Sequence, residues 1–464
     1  MEAAVGGRFE DRRGLIRGLR GFLIGGAVGF AVLAAYQPRA ALIGLLVLTV
    51  GSFCAIRADF ALLILIAVIP LESHFDAVPL IGMTPTKAAG ALCFLSFGFY
   101  TLRSGLRLVF DASHALVLVL LALALVSTLH AQELTPALDA TLRYASFVAL
   151  YFVASQFIGD PALHRRIAWT LSISSSVAGL IALDYFFFSG GDVYRANLRY
   201  GDPNDLAFLL ATTLPITLWL LRERWALRPL VLAMIVVISL ATAFTYSRGA
   251  LLGIGAGIAF LILTERKRIP LLVVAGVITV ATGFVFVQSS PSTVLRVENA
   301  LRAKEQIASY NVETRLQAWD AAVTLSVENP LVGIGPGNFF YHYGRVAGIP
   351  PGAEPIAVAH NSYLDVAAEL GLAGLALFVA YLVLVFSRLT TAIRSGSGLP
   401  GFASALRVSF VITLVAGITI SQQYSAPYWL IGGLATALWL ESRVASGRAV
   451  SIGLRGAPGW PSPS

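Results

Sequence analysis

Apolar stretches long enough to cross a bilayer recur from one end of this chain to the other, and no other feature limits its fold as strongly. Reading runs against breaks gives fourteen: 19–36, 40–56, 59–71, 86–102, 114–130, 144–158, 167–188, 204–221, 229–246, 249–264, 270–287, 360–387, 404–421 and 427–441. A bilayer's hydrocarbon core takes roughly 20 helical residues to span. It also forces every backbone N–H and C=O to be bonded within the protein, which favours helices. The expectation is an all-α polytopic membrane protein with 12–14 transmembrane helices, a range set by the short 59–71 and the marginal 249–264. Composition agrees: 12% of residues are charged, whereas a soluble chain has about 25%. The net charge of +8 is therefore a topology signal, and no nucleic-acid partner is expected. Cys54 and Cys93 sit inside apolar runs and read as packing thiols. The basic N-terminus followed by an apolar run resembles a signal peptide. A second span follows at once, so an uncleaved first helix is expected.

Lysine and arginine set the orientation. With the N-terminus in the cytoplasm and spans alternating, 22 of the 33 basic residues fall in cytoplasmic segments, as the positive-inside tendency requires. The organisation is then N-terminal transmembrane helices over 1–287, one large outward loop over 288–359, C-terminal transmembrane helices over 360–441, and a cytoplasmic tail over 442–464 expected to be disordered. A loop of that length is too long for a simple connector. Within it, 312–330 reads as an amphipathic helix with Leu316, Trp319, Ala322 and Val323 on one face. "ENPLVGIGPGNF" (328–339) breaks it in a tight turn, and 340–359 reads as irregular.

Outward basic residues are the exceptions, and they gather. Arg195 and Arg199 flank a short loop, Arg248 lies where 229–246 emerges, and Arg315 is on the loop helix. A guanidinium is permanently charged and forks onto phosphate oxygens. Each arginine alone could mark an interface or pair with Asp192, Asp202 or Glu313; as a set they suit an anionic lipid headgroup or a diphosphate. His360 stands where the long loop re-enters the membrane, on the same side. Its imidazole could take a proton from a hydroxyl near neutral pH, or simply bond at a helix start, where Asn361 and Ser362 are also caps. At ~100° per residue, His360, Tyr363, Leu364, Ala367, Gly371 and Gly374 share one helix side, and Asp365 and Glu369 lie together on the other. The small residues would admit a neighbouring helix. Glu369 would be a costly buried charge and is more simply read as bonding a neighbouring helix than as reacting. No zinc-like spacing, nucleophile elbow or phosphate-binding glycine loop is present, which points to metal-independent chemistry without a cofactor.

Four segments resemble one family. "HNSYLDVAAELGLAG" (360–374), "YSRGALLG" (246–253), "TRLQAWDAA…NPLVGIGPGNF" within 314–339 and "YRANLRYGDPNDLA" (194–207) are similar, in order and spacing, to motifs of the O-antigen ligase and polymerase superfamily. The resemblance implies a membrane glycosyltransferase of C-type architecture in the bacterial inner membrane, with its site facing the periplasm. It implies a donor glycan on undecaprenyl diphosphate and an acceptor glycan or glycolipid, of the lipid A-core type for a ligase. By the same resemblance Arg195 or Arg199, Arg248 and Arg315 would hold the diphosphate. His360 would deprotonate or orient the acceptor hydroxyl, and Asn361, Tyr363, Glu369, Gly371 and Gly374 would support the site. Inversion at the anomeric carbon is expected. A polymerase that lengthens a lipid-linked glycan remains an alternative. So does a transporter or flippase, although charges collected at one face are unlike a midplane transport path.

Overall fold

The computed structural model describes residues 57–75, 84–105, 108–189, 194–222, 225–265, 269–306, 308–349 and 358–446. Among them there is no strand. The helices are α1 (Ala58–Val68), α2 (Pro85–Ser104), α3 (Ala112–Thr128), α4 (Leu134–Gln156), α5 (Pro161–Phe188), α6 (Pro203–Trp219), α7 (Arg228–Phe244) and α8 (Arg248–Thr264). They continue as α9 (Ile269–Gln288), α10 (Pro291–Gln306), α11 (Ala308–Glu328), α12 (Phe339–Ala347), α13 (Ser362–Ser395), α14 (Phe402–Ala416) and α15 (Ala426–Ala445). Twelve of the fourteen expected spans, from 59–71 onward, fall on helices; 19–36 and 40–56 lie outside the described residues, as does the tail from 447.

The chain is an all-α multi-pass membrane protein. Five helices are long and apolar enough to cross a membrane unaided: Leu134–Gln156, Pro161–Phe188, Pro203–Arg222, Trp225–Phe244 and Ser362–Ser395. The shorter α3, α8 and α14 are also apolar. Peripheral helices turn large apolar side chains outward, among them Leu95, Val280 and Phe284. That surface suits a hydrocarbon solvent.

α15 is the axis of the bundle. It is apolar all round and is enclosed by α4, α13 and α14. On α14 rests α8, and the contact is made by glycines four residues apart. A Cβ on Gly253 would lie 3.0 Å from the Ile412 carbonyl oxygen, and one on Gly257 would lie 2.7 Å from Ile412 Cγ1. Small residues at this spacing let two helices approach closely.

Three expectations are corrected. The helix over 360–387 is not continuous: it begins at Ser362, and Gly371 has φ 74° and ψ 178°. The ~100° wheel therefore holds only to Leu370, and the apolar span starts after the break. Gly371 does not admit a helix either; a Cβ there would meet the carbonyl oxygens of Pro330 at 2.6 Å and Asn329 at 2.9 Å. Second, of the face read on α11 Ala322 is buried as expected, but Leu316 and Val323 are exposed and Trp319 is half-buried; Ala318, Ala321 and Leu325 make the rest of the buried side. Small alanines let α11 lie close to Ala368 of α13, so contact distance decides the buried face over side-chain hydrophobicity. Third, the stretch read as irregular opens with α12, which seats Phe339 and Tyr343 in the same cluster. In addition, the helix α15 runs to Ala445, into the segment read as tail.

Candidate active site

Four chain segments meet at the end of the bundle where α13 begins. The first is the turn between α7 and α8. Tyr246 adopts φ 51°, reversing the chain, and Ser247 caps α8 by accepting from Ala250 N at 3.5 Å, which leaves Arg248 as the first helical residue. Arg248 is exposed and has no hydrogen bond or ion pair among the described residues. Gly249 is glycine because the α14–α15 turn, at Thr419 and Ile420, occupies the space of its side chain.

The second segment is 194–202, which is pinned to that turn. Ala196 N donates to Phe244 O at 2.8 Å; Arg195 Nε donates to Thr245 O at 2.6 Å, and its Nη2 to Asn204 Oδ1 at 2.7 Å. Asp202 caps α6, accepting from Asn204 N at 2.5 Å. The structure thus separates the two candidate arginines. Arg195 is held in the cluster, whereas Arg199 is exposed with its guanidinium 5.2 Å from the Tyr200 ring.

The third segment is the turn from Gly417 to Ser425. Ser362 N donates to Gly417 O at 2.8 Å, and Ser362 Oγ both donates to Ile420 O at 2.7 Å and accepts from Gln422 N at 2.8 Å. From the opposite side Arg315, on α11, donates to Thr419 O at 3.0 Å. One short turn thereby positions the start of α13 and the loop-helix arginine together.

His360 completes the meeting point. It precedes α13 with φ 52°, a left-handed conformation that few non-glycine residues hold without support. The support is visible on both sides. Asn361 caps α13, its Oδ1 accepting from Tyr363 N at 3.0 Å and Leu364 N at 3.2 Å. Asp365 Oδ1 accepts from Ala359 N at 2.8 Å. The ring itself has no hydrogen bond among the described residues. Burial, and then the Arg315 guanidinium, push its pKa below 6.5, with Asp202 pulling weakly the other way. The imidazole is therefore neutral at neutral pH and free to accept a proton.

Electrostatically the site has a surplus of cations. Asp202 is the carboxylate that acts on Arg195, Arg315 and His360 alike, while Arg195 also feels Arg315, and Arg315 feels Arg248. Of the other two acids considered as arginine partners, Asp192 lies outside the described residues, and Glu313 is exposed. Lys304, on α10, joins the same group, a residue that the sequence reading passed over. Among the described residues no three His, Cys, Asp or Glu side chains converge as a metal site would require.

Glu369 lies behind this site and ties it to the glycine-rich turn. Its Oε1 accepts from Gly337 N at 2.9 Å, its Oε2 from the Tyr424 hydroxyl, and its backbone oxygen from Gly335 N at 3.1 Å and Ser127 Oγ at 2.7 Å. Gly333, Gly335 and Gly337 all have positive φ, and the turn they form brings the N–H groups of Ile334, Gly335 and Gly337 onto Ala368 and Glu369. Tyr363 donates to Leu414 O at 2.7 Å, and Gly374 packs under Leu370 and against Leu123. These contacts anchor the segment to α3, α14 and the glycine-rich turn.

Residues 233–379 match the family model described as O-antigen ligase, which supports the O-antigen ligase and polymerase superfamily for this chain. The match spans α8, most of α7 and the loop helices, and it ends just beyond Gly371, so it includes Arg248, Arg315 and His360. No curated protein matches the chain.

Proposed function

We propose that this chain, a multi-pass membrane protein carrying an O-antigen ligase match, moves a glycan from undecaprenyl diphosphate to an acceptor glycan at the outward face of the bacterial inner membrane. The observation that carries the reading is the His360 ring, without a hydrogen bond among the described residues, beside arginines that outnumber the Asp202 carboxylate acting on them. A diphosphate supplies the missing negative charge. A glycan hydroxyl supplies the missing hydrogen bond.

In the reaction the acceptor oxygen attacks the anomeric carbon while the bond from that carbon to the diphosphate breaks. The hydroxyl proton passes to the neutral imidazole of His360. The electron pair stays on the departing diphosphate oxygen, where Arg195, Arg248 and Arg315 meet the developing charge. Fixed donors aimed at charge that grows in the transition state are a large catalytic term. Attack opposite the leaving group inverts the anomeric configuration. No step needs a metal: carrier diphosphate is already a good leaving group.

The test uses membranes from a deletion strain, with and without the gene restored. Long glycans that remain on the carrier without the gene, and reach lipid A with it, establish ligation. Single units that become chains on the carrier establish polymerisation instead. Glycan that changes membrane face with no diphosphate released refutes transfer.

A further inference from the structure

We infer that Lys304 is a fourth cation of the donor site, contacting the carrier diphosphate alongside Arg195, Arg248 and Arg315. The inference rests on the reading above and adds a residue to it.

The argument begins with the placement of α10. The chain bends by 111° between α9 and α10, so α10 leaves the direction of the preceding helix and packs on the bundle, where Ala300 joins the buried core. Arg296 fastens it there, donating from Nε to Phe186 O at 2.7 Å. One face of α10 is buried: Thr293, Val297 and Ala300 follow each other at helical spacing, and Ala300 is 1% exposed. Lys304 comes next on that stripe, one turn after Ala300. Glu298, Arg302 and Glu305 of the same helix are exposed on its other sides. A lysine on the inward stripe of an amphipathic helix calls for an acidic partner. Lys304 has no hydrogen bond or ion pair among the described residues.

What faces it is more positive charge. Arg195 from the 194–202 segment, Arg248 from the start of α8 and Arg315 from α11 all act on it, with Asp202 at the α6 cap as the single opposing carboxylate. Burial and these three guanidinium groups push its pKa down to about 8. Four side chains from four chain segments, with one acid between them, form a site for an anion bearing at least two charges. Among them only the lysine can lose its charge near neutral pH. A bound diphosphate would favour the charged form, so donor binding should draw a proton onto Lys304 whenever the pH is near or above about 8.

The experiment measures binding of a short-chain isoprenyl diphosphate sugar to purified full-length protein in nanodiscs, by calorimetry, from about pH 6 to about pH 9.5. A diphosphate esterified at both ends does not titrate in this range, so any pH dependence belongs to the protein. For the natural chain the affinity should be flat at low pH and fall above about pH 8, with proton uptake from the buffer on binding. Lys304→Gln should bind about tenfold more weakly at pH 7, the loss of one hydrogen bond to a charged group, and should show neither the alkaline fall nor the proton uptake. Lys304→Arg should restore affinity and hold it to the top of the range. If Lys304→Gln keeps the natural affinity and the natural alkaline fall, the inference is overturned and the donor site stands with three cations. If the natural chain and Arg315→Ala bind the probe equally poorly, the donor reading itself fails, and Lys304 falls with it.

Discussion

α13 joins two polar clusters that use the same residue types to opposite ends. At its far end Arg388 is 3% exposed. Arg388 donates to Asp111, to Ser113 Oγ at 2.5 Å and to Thr436 Oγ1 at 2.7 Å, and it stacks 4.4 Å from the Trp439 ring centroid. His114 lies in the same cluster, with Nδ1 2.6 Å from Asp111 Oδ1 and Nε2 2.9 Å from Ser155 Oγ. The order carboxylate, imidazole, hydroxyl is that of a nucleophilic triad. It has no access: His114 is 1% and Ser155 0% exposed. At the near end the cations outnumber Asp202, the carboxylate that acts on them, and the His360 ring has no hydrogen bond among the described residues. The pairing of charge separates architecture from a site for chemistry, and residue identity does not.

The comparison breaks most sharply at Arg388. Replacing it with alanine strands Asp111 in the interior, and breaking a buried pair costs about 3–5 kcal/mol. Arg388→Ala should therefore lower the yield of folded protein and its melting temperature in detergent. A variant that melts like the natural chain would make the far cluster dispensable. The pair should also be insensitive to neutral pH. Although burial pushes the Asp111 carboxyl up, His114 and Arg388 hold it well below the usual range. A depressed carboxylate contributes its stability above its unfolded value of ~3.9 and loses it only as the pH falls further. Between about pH 5 and pH 9 the Asp111 carboxylate should then contribute no transition to melting, whereas donor binding at the near cluster changes near pH 8.

At the near end the effect should fall on activity. His360→Asn keeps a residue type that tolerates positive φ while removing the base, so transfer should drop by about 10²–10⁴ with melting unchanged. Arg248→Ala, at an exposed position, should likewise lose transfer and keep its fold. Normal turnover in either variant would remove that residue from the mechanism.

Much of the near cluster was legible because its residues are local exceptions. Outward arginines break a topological tendency, and a histidine at a re-entry point breaks an apolar run. The break at Gly371 was not legible, because its cause is a tertiary contact, the carbonyl of Pro330 occupying the space of a Cβ. The buried face of α11 was missed for a related reason, since alanines win a contact where closeness matters. Lys304 was passed over because a lysine in a hydrophilic loop is unremarkable until the loop's fold turns it inward. The far cluster stayed hidden because Asp111, Arg388 and Thr436 are distant in sequence, and only packing makes them partners.

Glycine substitution compares the two ends at smaller amplitude. Gly371 and Gly396 both have positive φ, but a Cβ on Gly371 meets backbone, whereas one on Gly396 meets nothing within 4 Å. Gly396→Ala should cost about 1 kcal/mol as a strained helix cap. Gly371→Ala should cost about 1–3 kcal/mol in strain alone, and more from the displaced 329–337 turn, with transfer reduced because Glu369 lies on the short helix that His360 precedes. Equal losses at the two positions would show that the turn does not matter.

The smallest effect should come from Asp202, the carboxylate that acts on Arg195, Lys304, Arg315 and His360. Asp202→Asn preserves the α6 cap, since asparagine caps as well as aspartate, and removes the negative charge that competes with a diphosphate. Donor affinity should rise, by about threefold for a partly exposed charge of this kind. Because Asp202 pulls the His360 pKa upward, its loss should lower that pKa further, and the acid limb of the transfer profile should move to lower pH. The neutral form of His360 exists above its pKa, so the variant should retain transfer at an acidity where the natural chain has lost it. A limb that moves the other way, or a weaker donor, would mean that Asp202 is part of the binding surface and that the cations at this end are more nearly balanced than those around Arg388.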